Sequence, residues 1–237
     1  MNEPYFHIKL GQRELVRLLW FLIGIDLFFL SMYVLTAILL PDLTWGPIDG
    51  WFDLDQDGSI PSWFSSLQYV GLAVALFSVA NRKTVRGVSV RFLNILSLLM
   101  AFLGLDEAVE IHEQFTEAMK VLQFGWLRSV SLTGDHGTWI FFYALAGVGL
   151  LLLVYKDLLV VWSAYRHEAL IVAVGGALLV MGEVGLEVLS YLFLRTPATG
   201  MLYNLEVLFE EGAALLGMSV VFYGGLMFLM QGQLPED

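Results

Sequence analysis

Apolar residues in this chain fall into long blocks separated by short polar stretches, with no sustained alternation of the strand type. Six blocks, roughly 17–40, 62–81, 91–113, 137–156, 168–194 and 203–231, are each long enough for a helix to cross a bilayer. The two longest connections, about 41–61 and 114–136, are rich in Gly, Pro, Trp, Asp and Thr. The pattern predicts an all-α, polytopic membrane helical bundle, a single transmembrane domain over residues 1–237. The polar first sixteen residues precede a block too long for a signal-peptide core, so it is read as a retained first span.

Composition narrows the function classes. Hydrophobic residues make up 58% of the chain and charged residues only 15%, too few to solvate a soluble domain of 237 residues. The net charge of −11, with no run of Lys or Arg, excludes a nucleic-acid partner. With no cysteine, disulfides, iron–sulfur clusters and thiolate zinc sites are excluded.

Basic residues set the expected orientation. Lys9, Arg13, Arg17, Arg82, Lys83, Arg86, Arg91, Lys156 and Arg166 fall on one side of the bundle, and Lys120, Arg128 and Arg195 on the other. That imbalance places both termini in the cytoplasm (N-in/C-in) of an inner or plasma membrane, with the acidic 41–61 loop toward the periplasm or exterior. Trp45, Trp51, Trp63, Trp126 and Trp139 cluster near the outer boundary, where amphipathic rings are favoured. Gly175, Gly176, Gly182 and Gly185 in the fifth block, and Gly212, Gly217, Gly224 and Gly225 in the sixth, mark close helix contacts. The lipid bilayer is the implied partner, with a membrane-protein partner or a homo-oligomer left open.

The candidate chemistry lies in acids on apolar spans. Asp106, Glu110 and Glu113 are spaced four and three apart and share one face of a continuous helix. Glu183 and Glu187 on the fifth span, and Glu206 and Glu210 on the sixth, repeat the four-residue spacing. At a rise of about 1.5 Å per residue, Asp106, Glu187, Glu210 and Glu110 lie about 6–12 Å outward of their span midpoints, at one level. Too few cations share that side to neutralise them, and a charge inside the bilayer costs roughly 2.5–3.5 kcal/mol or more. The expectation is a divalent metal site (iron, manganese or zinc) built from Asp106, Glu110, Glu187 and Glu210. Glu113, His136, Glu183 and Glu206 would stand above or behind them. His136, beside Asp135, is the favoured imidazole ligand, whereas His112 points about 100° away from Glu113 unless the helix end unwinds. Glu107 and Glu211 fall off the stripes. Asp26, alone in the first span, is read as a hydrogen-bonded structural residue.

The outer loop segment FDLDQDGSIPSWF places Asp53, Asp55 and Asp57 at the first ligand positions of an EF-hand loop, with Gly58 at its turn. The closing Glu is replaced by Phe64. A weak calcium site competes with the favoured reading, an Asx-type turn followed by a helix cap at Ser62.

The pairing of FDLDQDGSIPSWFSS with LDEAVEIHE resembles a group of uncharacterised multi-pass bacterial membrane proteins carrying similar DLD…IPxWFSS and LDE…HE segments. The resemblance implies the topology and attaches no activity. No Ser/His/Asp nucleophile arrangement, phosphate loop, haem-ligand pair or multi-histidine pattern of alkaline-ceramidase-like hydrolases is present. Three functions are thus expected in turn: a metal-binding protein, extending to a metal-dependent enzyme near the outer leaflet; a proton- or divalent-cation-linked transporter; or a non-catalytic subunit of a membrane complex.

Overall fold

A computed structural model describes residues 11–41, 46–56, 58–82, 85, 87–121, 138–186, 188–189 and 200–231. The described chain is helical and contains no strand. Helix α1 runs over Gln12–Tyr33 and continues as a π-helical segment, Val34–Leu39. A short α2 (Pro47–Trp51) interrupts the first long loop. Then follow α3 (Ile60–Arg82), α4 (Val90–Val109), α5 (Ile111–Val121), α6 (Thr138–Ala164), α7 (Arg166–Val180, extended by a π-helical turn at Met181–Leu186) and α8 (Met201–Gln231). Among the described residues, six helices are long and apolar enough to cross a membrane, so the chain is a multi-pass membrane protein with an all-α bundle.

Central α8 has 67% of its most apolar stretch buried, against 6% for α6 at the periphery. The difference follows from side-chain size at the contacts. A Cβ on Gly217 would lie 2.7 Å from the Leu179 nitrogen, and one on Gly175 would lie 2.8 Å from the Gly217 carbonyl oxygen. Lower on the same seam, a Cβ on Gly182 would meet the Glu210 carbonyl oxygen at 2.6 Å. Helices α7 and α8 therefore touch backbone to backbone. This close approach is how helices gain dispersion energy where lipid removes the hydrophobic drive. Helix α3 pairs with α4 by a second device. Ser66 Oγ donates to the Gly104 carbonyl at 2.6 Å, and Ser97 Oγ donates to the Ala73 carbonyl at 2.8 Å.

Several expectations about span ends are corrected. The third span stops at Val109, not residue 113, because Glu110 adopts left-handed backbone angles (φ 56°, ψ 43°) while its N–H donates to the Asp106 carbonyl. The chain restarts as the separate helix α5, so Asp106, Glu110 and Glu113 do not form one stripe. The fourth span continues to Ala164, and the described fifth span changes to π geometry at Met181. The cap of α3 is Ser59, whose Oγ accepts the Ser62 N–H at 3.4 Å. Ser62 instead accepts the Gly58 N–H, at 3.1 Å. The Asx turn is present, with Asp53 Oδ1 accepting the Asp55 N–H at 3.1 Å.

The packing generates a prediction. Gly217→Val forces the α7 and α8 backbones apart and should lower stability by about 1–3 kcal/mol or more, as overpacking does. Gly147→Ala, with open space around it, should be neutral. Thermal unfolding in detergent distinguishes them, and equal melting temperatures would contradict the contact.

Candidate functional site

The break at Glu110 has a chemical consequence. It turns the chain so that a residue six positions on returns to Asp106. Asp106 Oδ1 accepts the His112 backbone N–H at 2.9 Å and lies 3.2 Å from His112 Nδ1. Asp106 Oδ2 accepts the Tyr143 hydroxyl at 3.0 Å. The carboxyl is 7% exposed, and three donors from two other helices surround it. The His112 ring meets Trp139 edge-on at 4.9 Å, and Trp139 meets Tyr143 in the same way at 5.2 Å. Trp139 and Tyr143 are four apart on α6, which puts both on the face turned toward α5.

Burial alone would lower the basicity of His112. The hydrogen bond and charge of Asp106, with the Glu183 and Glu113 carboxylates nearby, outweigh it and push the imidazole up to about 9. At neutral pH the ring is a cation held against Asp106.

Beside this pair is a cavity of about 480 Å³ between α5, α7, α8 and the acidic loop. Asp55, Glu107, Glu113, Glu117, Glu183, Glu210 and Glu211 line it together with His112, and among the described lining residues there is no Lys or Arg. Such a chamber draws positive charge. Tyr203, on its wall, donates to Asp55 Oδ2 at 2.6 Å. Two local features bring Glu183 and Glu210 to one level. One is the π-helical turn, which carries Glu183; the other is the closure of Gly182 onto the Glu210 backbone.

A second cavity, of about 440 Å³, lies between α4, α6 and α7. Its wall is mostly apolar and includes Leu103, Ile140, Ala144, Leu179, Val180 and Val184. Glu107, His112, Trp139 and Glu183 line both cavities. A polar chamber and an apolar cleft thus meet across the imidazolium.

Of the residues expected at a metal site, Glu113, Glu183 and Glu210 line the acidic chamber. Asp106 is taken up by its three hydrogen bonds. Glu110 serves as the helix cap, and Glu206 is half-buried on α8; neither lines either of these two cavities. His136, Glu187 and Asp57 lie outside the described residues. Among the described residues, no three His, Asp or Glu side chains are grouped to hold one metal ion. Sequence reasoning set Glu107 and Glu211 aside, yet both face the chamber, because it is wide enough to take neighbouring positions of one helix. It did not single out Tyr143, although the four-residue step from Trp139 to Tyr143 offered a signal.

The pair makes a pH prediction. Asp106→Asn removes the charge that holds the proton on His112, so its pKa, followed by NMR of labelled imidazole, should fall from about 9 toward the ordinary 6.5. Because the folded value is raised, the pair's contribution to stability is complete below pH 6.5 and is lost as pH rises through about 9. An unmoved pKa in the variant would contradict the pairing.

No curated protein and no solved structure matches the chain. A family model described as a domain of unknown function, DUF8692, matches residues 15–229. That match takes in nearly all of the six spans, and the chain belongs to the DUF8692 family.

Proposed function

We propose that this protein binds a lipid-like ligand with a cationic head, or a head paired with a divalent cation, in the outer half of the membrane. The head occupies the acidic chamber and the tail lies in the apolar cleft. The observation that carries the reading is the sharing of Glu107, His112, Trp139 and Glu183 between the two cavities. Ligand sites combine apolar walls with a few convergent polar groups, and this junction has both. The excess of basic residues on the opposite side of the bundle supports an outward-facing chamber.

The residues at the junction suit proton transfer. Asp106 fixes Nδ1 of His112 and stabilises the imidazolium, leaving Nε2–H as the donor available to a ligand. If the protein is an enzyme, His112 is the general acid and Asp106 and Tyr143 are its positioning residues. A divalent cation bound with the head would be balanced by the carboxylates spread around the chamber wall, Glu113, Glu183 and Glu210 among them, with no ready-made cluster of three ligands among the described residues.

Cation-linked transport is the second reading. The helix break at Glu110 and the π-helical turn at Met181–Leu186 favour it, since irregular backbone beside a polar cavity is a feature of transporters.

Native mass spectrometry of the detergent-purified protein tests the first reading. Wild type should retain an amphipathic molecule. Val180→Trp, which fills the cleft, and Glu183→Gln, which weakens the chamber, should each lose most of it. Chelation should release it if a divalent cation bridges the head. Retention unchanged in both variants, or no bound amphiphile in wild type reconstituted with total membrane lipid, would overturn the reading. Divalent-cation flux in proteoliposomes that Glu183→Gln abolishes would favour transport instead.

A further inference from the structure

Away from the chamber, a polar cluster is closed inside the bundle. Asp26 on α1 and Ser219 on α8 are fully buried, and Gln68 on α3 is 5% exposed. Gln68 Nε2 donates to Ser219 Oγ at 3.3 Å. Ser219 lies beside the Asp26 carboxyl and within its reach. Neither Asp26 oxygen, however, nor Gln68 Oε1, makes a hydrogen bond of sound geometry. Asp26, read from the sequence as standing alone in its span, thus has Ser219 and Gln68 as companions from two other helices.

The position makes this costly. Asp26 is about 20 Å from either end of its span at 1.5 Å per residue. The nearest basic residue along α1 is Arg17, about 13 Å away, and α8 carries no Lys or Arg at all. Buried acceptors left without partners in a protein interior are rare, and in the bilayer core water is scarce. Three helices contribute oxygen-bearing side chains linked through Ser219: its Oγ stands beside the Asp26 carboxyl and accepts from the Gln68 amide. Their oxygens are hard donors of the type that suits cations binding oxygen rather than nitrogen or sulfur. The cluster carries one acidic side chain, so a single positive charge balances it. A divalent ion would leave a net charge in a medium of low dielectric.

We infer that Asp26, Gln68 and Ser219 form a site for one dehydrated monovalent cation, with Na⁺ as the fitting ion, at the centre of the bundle. The ion ties α1 to α3 and α8 and satisfies the three unmet oxygens. This site stands independently of the acidic chamber and of any ligand bound there.

The test is thermal unfolding of the detergent-purified full-length protein at fixed pH and ionic strength, with NaCl replacing choline chloride stepwise. Wild type should gain a saturable rise in Tm with Na⁺, because an ion that binds only the folded state stabilises it by mass action. Asp26→Asn should show a flat profile. Ser219→Ala, which keeps the carboxyl, should still respond but need several-fold more Na⁺ for half the effect, and it decides the matter if Asp26→Asn does not fold. A wild-type Tm indifferent to Na⁺ would overturn the site. So would an undiminished response in a folded Asp26→Asn, or an unchanged half-saturation in Ser219→Ala when Asp26→Asn cannot be measured.

Discussion

A carboxylate buried in a membrane protein must be met by donors or by a cation, and Asp106 shows what meeting that demand with donors does to the chain around it. Its two oxygens take a backbone N–H and an imidazole from α5 and a hydroxyl from α6. Those donors are available only because the chain breaks at Glu110 and folds back. A left-handed conformation at a non-glycine residue carries strain of order 1–3 kcal/mol. Hydrogen bonds to a charged group contribute roughly 1.5–3 kcal/mol each, and three of them more than offset it. The same bonds draw in α6, which is otherwise the least embedded helix, and bring Trp139 and Tyr143 to the junction of the two cavities.

The tightest helix seams do not rest on charge. The Gly175–Gly217 seam and the Ser66 and Ser97 hydrogen bonds fasten the helices by backbone contact, with no need for ionisable groups. The end near the acidic loop can then concentrate seven carboxylates on one chamber. Gly182 joins the two regions. It belongs to the tight seam with α8, and it lies within the π-helical turn that carries Glu183.

The six spans were legible in the sequence because a run of about twenty apolar residues has few alternatives in a bilayer. The glycine seam was legible in part: Gly175, Gly182, Gly217 and Gly224 sit at close helix contacts, whereas Gly176 has open space around it and Gly185 meets only its own helix. The acidic site was legible only in outline. Three helices with acids at one level pointed to a shared place, and Glu113, Glu183 and Glu210 do reach it. The stripe logic failed where the helix is not straight. Nothing in LDEAVEIHE announces a left-handed turn, because the residue there is Glu rather than Gly or Asn. Without that break, His112 points away from Asp106. The short helices α2 and α5 were hidden in stretches whose Gly, Pro, Asp and Thr content reads as loop.

The absence of native cysteine allows a direct test of whether the acidic chamber and the apolar cleft form one compartment open to the side of the acidic loop. The measurement is the labelling of two single-cysteine variants, Glu113→Cys in the chamber and Ala144→Cys in the cleft, with and without a long-chain quaternary ammonium compound. If the compartment is continuous, a membrane-impermeant thiol reagent reaches Glu113→Cys from the exterior and a lipid-soluble maleimide reaches Ala144→Cys. The ammonium compound then protects both cysteines over the same concentration range. Protection of one without the other, or reaction of Glu113→Cys only from the cytoplasmic side, would contradict it.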